Sequence, residues 1–148
     1  MSMAIPERIA NAQTGTNPTV VCRVPSGWVV LCDMQFLRGY TILLADPLVA
    51  SLNDLDRLQR TEYLGDMALI GDALLEVTGA YRINYGILGN RDPYLHAHIV
   101  PRYMTEPEKF RMGLPWSYPK KLADSVAFDD VRDKELMHQI AAAIQKRL

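Results

Sequence analysis

One long helical pattern with strand-like segments on both sides constrains this chain more than any other feature. Asp56 is a good N-cap, and Gln59 three residues later can close a capping box. From there Leu64, Met67, Ala68, Gly71, Leu74 and Leu75 keep helical spacing, and Gly79 supplies a C-terminal stop. The spacing predicts one principal helix from Asp56 to Thr78. Before it, Thr19 to Val24 and Trp28 to Cys32 read as strands joined by the turn Pro25-Ser26-Gly27, and Phe36 to Ala45 reads as a third strand ending at Asp46-Pro47. After it, Tyr81 to Leu88 and Tyr94 to Arg102 read as two more strands, separated by the turn cluster Gly89-Asn90-Arg91-Asp92-Pro93. Pro6 to Gln13 suits a short helix, Gly113 to Pro119 is irregular and aromatic, and Asp130 to Leu148 reads as a second clear helix. The short first turn demands antiparallel pairing. The expected class is therefore α+β: a five-stranded antiparallel sheet with one long crossover helix and a C-terminal helix, the helices lying against one face.

With 148 residues and 49% hydrophobic content, the chain suits a single domain with a real core. Its formal charge of −1 disfavours a nucleic-acid polymer, which needs clustered Lys and Arg, but leaves room for a single nucleotide. Cys22 and Cys32 lie in apolar strand-like segments without a C-x-x-C pair, so two buried free thiols in a reducing compartment are expected. Met1 to Thr16 has no basic region followed by an apolar stretch, and no apolar run reaches the ~18–20 residues of a membrane span, so the expected location is cytoplasmic.

Chemistry is concentrated in Tyr94-Leu95-His96-Ala97-His98-Ile99-Val100-Pro101-Arg102. On a strand, Tyr94, His96, His98 and Val100 share one face, while Leu95, Ala97 and Ile99 share the other. Two of the three histidines thus stand two residues apart on one face. Neutral imidazole is a nucleophile and proton carrier near neutral pH, and attack on phosphorus would form a phosphoramidate. The same spacing suits two metal ligands. On spacing alone, ordinary hydrogen-bonded histidines rank first, a metal site second and phosphorus chemistry third.

The flanks reverse that order. Together with Ile83-Asn84-Tyr85-Gly86-Ile87-Leu88-Gly89-Asn90 before it, the segment resembles the histidine-triad signature: His-x-His-x-His, two apolar residues, often Pro-Arg, and an Asn or Gln on the preceding strand. Leu37-Arg38-Gly39-Tyr40-Thr41-Ile42-Leu43-Leu44, then Asp46-Pro47 and the long helix, resembles that family's third strand and crossover. The resemblance implies one domain over 1–148, with its core over about 17–104 and a C-terminal extension carrying the helix over 130–148. It also implies a homodimer, a purine nucleotide partner and no metal or other cofactor. The implied activity is cleavage at the α-phosphorus of a dinucleoside polyphosphate or nucleoside phosphoramidate, as in the diadenosine polyphosphate hydrolases. In that scheme His96 is the nucleophile and forms a nucleotidyl-histidine intermediate, while His98 contacts the phosphate and leaving group. Asn84 hydrogen-bonds the phosphate region, and Asp33 reads the ribose. Tyr94 replaces the first histidine; its backbone carbonyl still serves the other ring nitrogen of His96. Tyr40 stands where some members place an accessory histidine.

Other residues have two readings each. Arg102 neutralises a phosphate or is a surface arginine, and Arg91 shares that ambiguity. Asn90 suits the turn better than substrate contact, and Trp116 and Tyr118 cover a base or belong to a loop packed over the sheet. His138 is expected in solvent on the last helix. Three functions follow: a nucleotide hydrolase or transferase, a nucleotide-binding module that lost catalysis with its incomplete triad, and a metal-dependent hydrolase using His96 and His98.

Overall fold

The computed structural model describes residues 3–148; Met1 and Ser2, where the N-terminal reading begins, lie outside the described residues. In chain order the elements are α1 (Ile5–Gln13), β1 (Val20–Val24), β2 (Gly27–Leu31), β3 (Thr41–Ala45), α2 (Arg57–Thr78), β4 (Arg82–Gly86), β5 (His96–Arg102), α3 (Glu108–Arg111), α4 (Lys120–Ala123) and α5 (Lys134–Gln145). The five strands form one sheet in the order β1-β2-β3-β5-β4, with every pairing antiparallel. This is the α+β arrangement expected from the sequence.

The principal helix starts and stops where its caps require. Asp56 accepts from the Gln59 N–H at 2.8 Å, and Gln59 Oε1 accepts from the Asp56 N–H at 3.1 Å, so two otherwise unpaired donors are satisfied. Gly79 ends the helix at φ 72°, a left-handed conformation that costs glycine little. The buried stripe is displaced from the expected one. Tyr63, Met67, Ile70, Gly71, Ala73 and Leu74 face the sheet, whereas Leu64, Ala68 and Leu75 are exposed. Helical spacing alone fits either row, and packing on the sheet selects the row beside Tyr63, whose hydroxyl donates to the Leu43 carbonyl at 2.7 Å.

The third strand is shorter than expected and begins at Thr41 rather than Phe36. Gln35 explains the difference. Its side-chain N–H group donates to the carbonyls of Cys32 and Tyr40, both at 2.9 Å, and its oxygen accepts from the Gly39 N–H at 3.0 Å. A buried amide thus closes the segment into a loop, with Gly39 at φ 89°.

Helices α2 and α5 cover one sheet face over Val29, Leu31, Leu43, Ala97 and Ile99. The opposite face is not left bare, contrary to the expectation of helices on one side only. Ile5 and Ile9 of α1 pack there on Val30 and Leu44, and Phe36 and Tyr118 pack near Tyr40 and Val100. The histidines lie on this second face. Among the described residues, no helix is long and apolar enough to cross a membrane.

Candidate active site

Alternation along β5 brings the two imidazoles to one cavity. His96 pairs with Leu44 and His98 with Ile42 across the β3 ladder. Their ring centroids lie 5.1 Å apart at an interplanar angle of 68°. The cavity has a volume of about 290 Å3; its walls include His96, His98, Asp33, Arg8, Cys32 and Ile5. A larger cavity of about 510 Å3, lined by Phe36, Arg38, Glu106 and Tyr118 among others, shares no residue with it and contains no imidazole. The two imidazoles therefore mark the smaller cavity as the candidate site.

His96 is buried at 8% exposure, and its Nδ1 lies 2.7 Å from the Tyr94 carbonyl oxygen. A carbonyl can only accept, so in the neutral ring Nδ1 carries the hydrogen and Nε2 keeps its lone pair. The backbone contact expected of Tyr94 is present. Its side chain packs on the apolar group of Ile5, Ile9, Val30 and Leu44.

His98 is half-buried, with Nδ1 2.7 Å from the Tyr40 hydroxyl. Burial, followed by the neighbouring His96, pushes its imidazole down from 6.5 to about 4. The ring is thus neutral in the folded protein throughout the physiological range. In the unfolded chain it regains its ordinary affinity for a proton. Above pH 6.5 both states are neutral and stability is independent of this group. As pH falls from 6.5 towards 4, only the unfolded chain binds the proton, so stability is lost. The loss expected by pH ~4.5 is about 2 kcal/mol, after allowing for solvent screening of the half-buried ring. Urea unfolding of wild type and His98→Asn at pH ~7 and ~4.5 measures it: the variant should lose less stability by about that amount.

Asp33 lies in the same cavity, held by a guanidinium that sequence reasoning missed. Arg8 donates through Nη1 to Oδ1 at 3.1 Å and through Nη2 to Oδ2 at 2.5 Å, a bidentate pair bridging α1 and the end of β2. The Asp33 hydrogen bond leads the causes that raise the Arg8 guanidinium above its ordinary value, outweighing burial. No local spacing pointed to Arg8; the short helix was legible, but not its position against the sheet. Cys32 also lines the cavity, where burial pushes its thiol up to about 11, and both cysteines are free thiols.

Two expected substrate contacts are placed elsewhere. Asn84 pairs with Val100, whereas Gly86 is the β4 residue opposite His98. The amide therefore sits farther along the sheet, outside the cavity lining, and its Oδ1 accepts from Arg102 Nη1 at 2.8 Å. Arg102 is neither a surface residue nor free to bind phosphate. It is 2% exposed, and its N–H groups are committed to Glu106, Asn84 and the carbonyls of Gly113 and Phe110. Arg91, Asn90 and His138 are exposed and do not line the cavity.

Space over Gly86 is occupied by Trp116, on the short 3-10 turn Pro115–Ser117. The indole meets His98 edge-on at 5.4 Å between centroids, and its Nε1–H donates to the Tyr40 hydroxyl at 3.1 Å. The loop-over-sheet reading of this aromatic segment is the one observed. Among the described residues, no group of three or more His, Cys, Asp or Glu side chains is gathered to hold a metal ion.

No family model matches this sequence, and no curated protein matches it. Solved structures do match. A histidine triad protein from Marinobacter aquaeolei VT8 is 19% identical, with 86% of this chain and 88% of that chain covered and a TM-score of 0.72. A histidine triad protein from Sinorhizobium meliloti 1021 is 23% identical over 87% and 88% of the two chains, with a TM-score of 0.69. A hypothetical histidine triad nucleotide-binding protein from Sulfolobus tokodaii strain7 is 14% identical over 95% and 92%, with a TM-score of 0.71. The fold is that of the histidine triad proteins.

Proposed function

We propose that this protein cleaves at the α-phosphorus of a purine nucleotide conjugate, a dinucleoside polyphosphate or a nucleoside phosphoramidate, through a nucleotidyl group carried on His96. The observation that supports this most is the Nδ1 contact of His96 with the Tyr94 carbonyl, which leaves Nε2 with its lone pair on a ring that lines the cavity. In the first step Nε2 bonds to phosphorus and the bond from phosphorus to the departing amine or phosphate breaks. In the second, water attacks the same phosphorus, the P–N bond to His96 breaks, and the nucleoside monophosphate leaves. His98 stabilises charge on the phosphoryl oxygens from beside the attacking ring, and Asp33, held by Arg8, accepts hydrogen bonds from the ribose hydroxyls. Rapid acid quench during turnover of adenosine phosphoramidate or diadenosine tetraphosphate, followed by mass spectrometry, should find an adenylyl adduct on the peptide carrying His96. Turnover without any adduct on that peptide would sink the reading.

A second reading is a nucleotide-binding module with little turnover. Tyr94 supports it, because its ring occupies the first triad position and packs on apolar neighbours. Under this reading adenosine monophosphate raises the melting temperature, hydrolysis stays at background, and Tyr94→His restores turnover. The metal-dependent alternative lacks a third protein ligand among the described residues. Two further elements belong to the proposal. Free Cys22 and Cys32 suit a reducing cytoplasm. Exposed Leu64 and Leu75 on α2, with exposed Tyr85 of the edge strand β4 lying over Gly71 of the same helix, support pairing with a second copy, which light scattering at micromolar concentration would detect.

A further inference from the structure

The Tyr40 hydroxyl has two hydrogen-bond partners, His98 Nδ1 at 2.7 Å and Trp116 Nε1 at 3.1 Å. The indole nitrogen can only donate, so the Trp116 contact uses an acceptor site on the phenol oxygen. Two arrangements remain for His98. Either Nδ1–H also donates to that oxygen, or the phenol O–H donates to a bare Nδ1. In the first, the phenol proton has no acceptor, on a residue only 4% exposed. In the second, every group is satisfied. The imidazole then carries its hydrogen on Nε2, the nitrogen not engaged by Tyr40.

We infer that Trp116 and Tyr40 are positioning residues: acting in series, they lock His98 as the Nε2–H tautomer, so that the site presents one lone pair from His96 beside one N–H donor from His98. This deepens the function proposed above, and the value of the lock to catalysis rests on that reading; the tautomer itself does not. The pairing suits phosphoryl chemistry, since an attacking nitrogen needs a lone pair and a phosphoryl oxygen needs a donor. The lock is supplied by the C-terminal extension, and β4 makes room for it. A Cβ on Gly86 would lie 2.5 Å from Trp116 Cη2, and Gly86 is the residue paired with His98. A bare backbone at this position lets the indole lie against the sheet and reach Tyr40. The extension therefore completes a site whose other residues come from the sheet, the loop between β2 and β3, and α1.

Long-range proton–nitrogen NMR of full-length protein labelled with 15N-histidine reads both tautomers without any substrate. Wild type should show His98 with a bare Nδ1 and a protonated Nε2, and His96 with the opposite pattern. Trp116→Phe keeps the ring but removes the donor, and it should move His98 towards a mixture of tautomers while His96 is unchanged. Gly86→Ala should produce the same change by displacing the indole with both hydrogen-bonding groups intact. A wild-type His98 protonated at Nδ1 would overturn the inference. So would a Trp116→Phe protein with native His96 signals and an unaltered His98. If Trp116→Phe disturbs the His96 pattern as well, Gly86→Ala decides. Should the function hold, Trp116→Phe also lowers kcat several-fold with KM little changed. A shifted tautomer in a protein without hydrolase activity would leave the lock standing and remove the proposed function.

Discussion

His96→Ala protein is expected to lose turnover of an adenosine phosphoramidate by on the order of 10^4-fold or more, the scale seen when a covalent nucleophile is removed. Binding of adenosine monophosphate should change far less. The ring is 8% exposed and lines the cavity with one nitrogen already bonded to the Tyr94 carbonyl, so its remaining capacity is the Nε2 lone pair. Alanine removes that lone pair and enlarges the cavity without touching Asp33, Arg8 or His98. Steady-state kinetics with isothermal titration separates the two effects. Equal turnover by both proteins would show that His96 is not the nucleophile. A parallel collapse of binding and turnover would point instead to a ring that holds the cavity open.

Replacing Arg102 with methionine should cost about 3–5 kcal/mol of stability, the range for breaking a buried ion pair from one side. Arg102 and Glu106 are 2% and 5% exposed, with 2.9 Å between Nη2 and Oε1. Burial alone raises the Glu106 carboxyl, but hydrogen bonds from Arg102, Tyr118 and the Tyr103 N–H outweigh it and hold the group below the usual carboxylate range. Methionine fills much of the volume but leaves that carboxylate without its cation. It also removes the Arg102 donors from the Phe110 and Gly113 carbonyls, both at 2.8 Å, and only the Phe110 carbonyl keeps another, the Gly113 N–H at 3.1 Å. For a domain of this size the loss corresponds to a melting temperature lower by roughly 10 °C or more. Adding Glu106→Gln should restore part of it, because the unpaired charge is then gone; a double-mutant cycle by urea denaturation measures the coupling. A loss under 1 kcal/mol would mean that water reaches Glu106 once the guanidinium is removed. Because these bonds tie the segment that carries Trp116 to the sheet, the Arg102 variant should also disturb the His98 tautomer.

Legibility followed the range of each interaction. The start of α2 could be read because Asp56 and Gln59 cap one another three residues apart. The shared face of His96 and His98 could be read because strand alternation is a property of adjacent peptides. The carbonyl bond that orients His96 spans only two residues, yet it was expected from the resemblance to the histidine-triad signature and not from the spacing. Phe36 to Tyr40 misled the reading: its residues suit a strand, and the buried Gln35 amide that bends them leaves no periodic trace.

Local sequence thus determined most of the elements, the antiparallel pairing of the first hairpin and the two imidazoles on one strand face, since capping, alternation and turn chemistry act over a few peptide units. Tertiary structure alone decided what surrounds those imidazoles. Arg8 meets Asp33 across 25 residues, Trp116 meets Tyr40 across 76, and Arg102 turns away from the cavity to anchor the extension. The β4 register also sets Gly86 rather than Asn84 opposite His98. Such contacts follow from how finished elements pack to bury apolar surface and pair buried polar groups, and no spacing along the chain encodes a partner dozens of residues away.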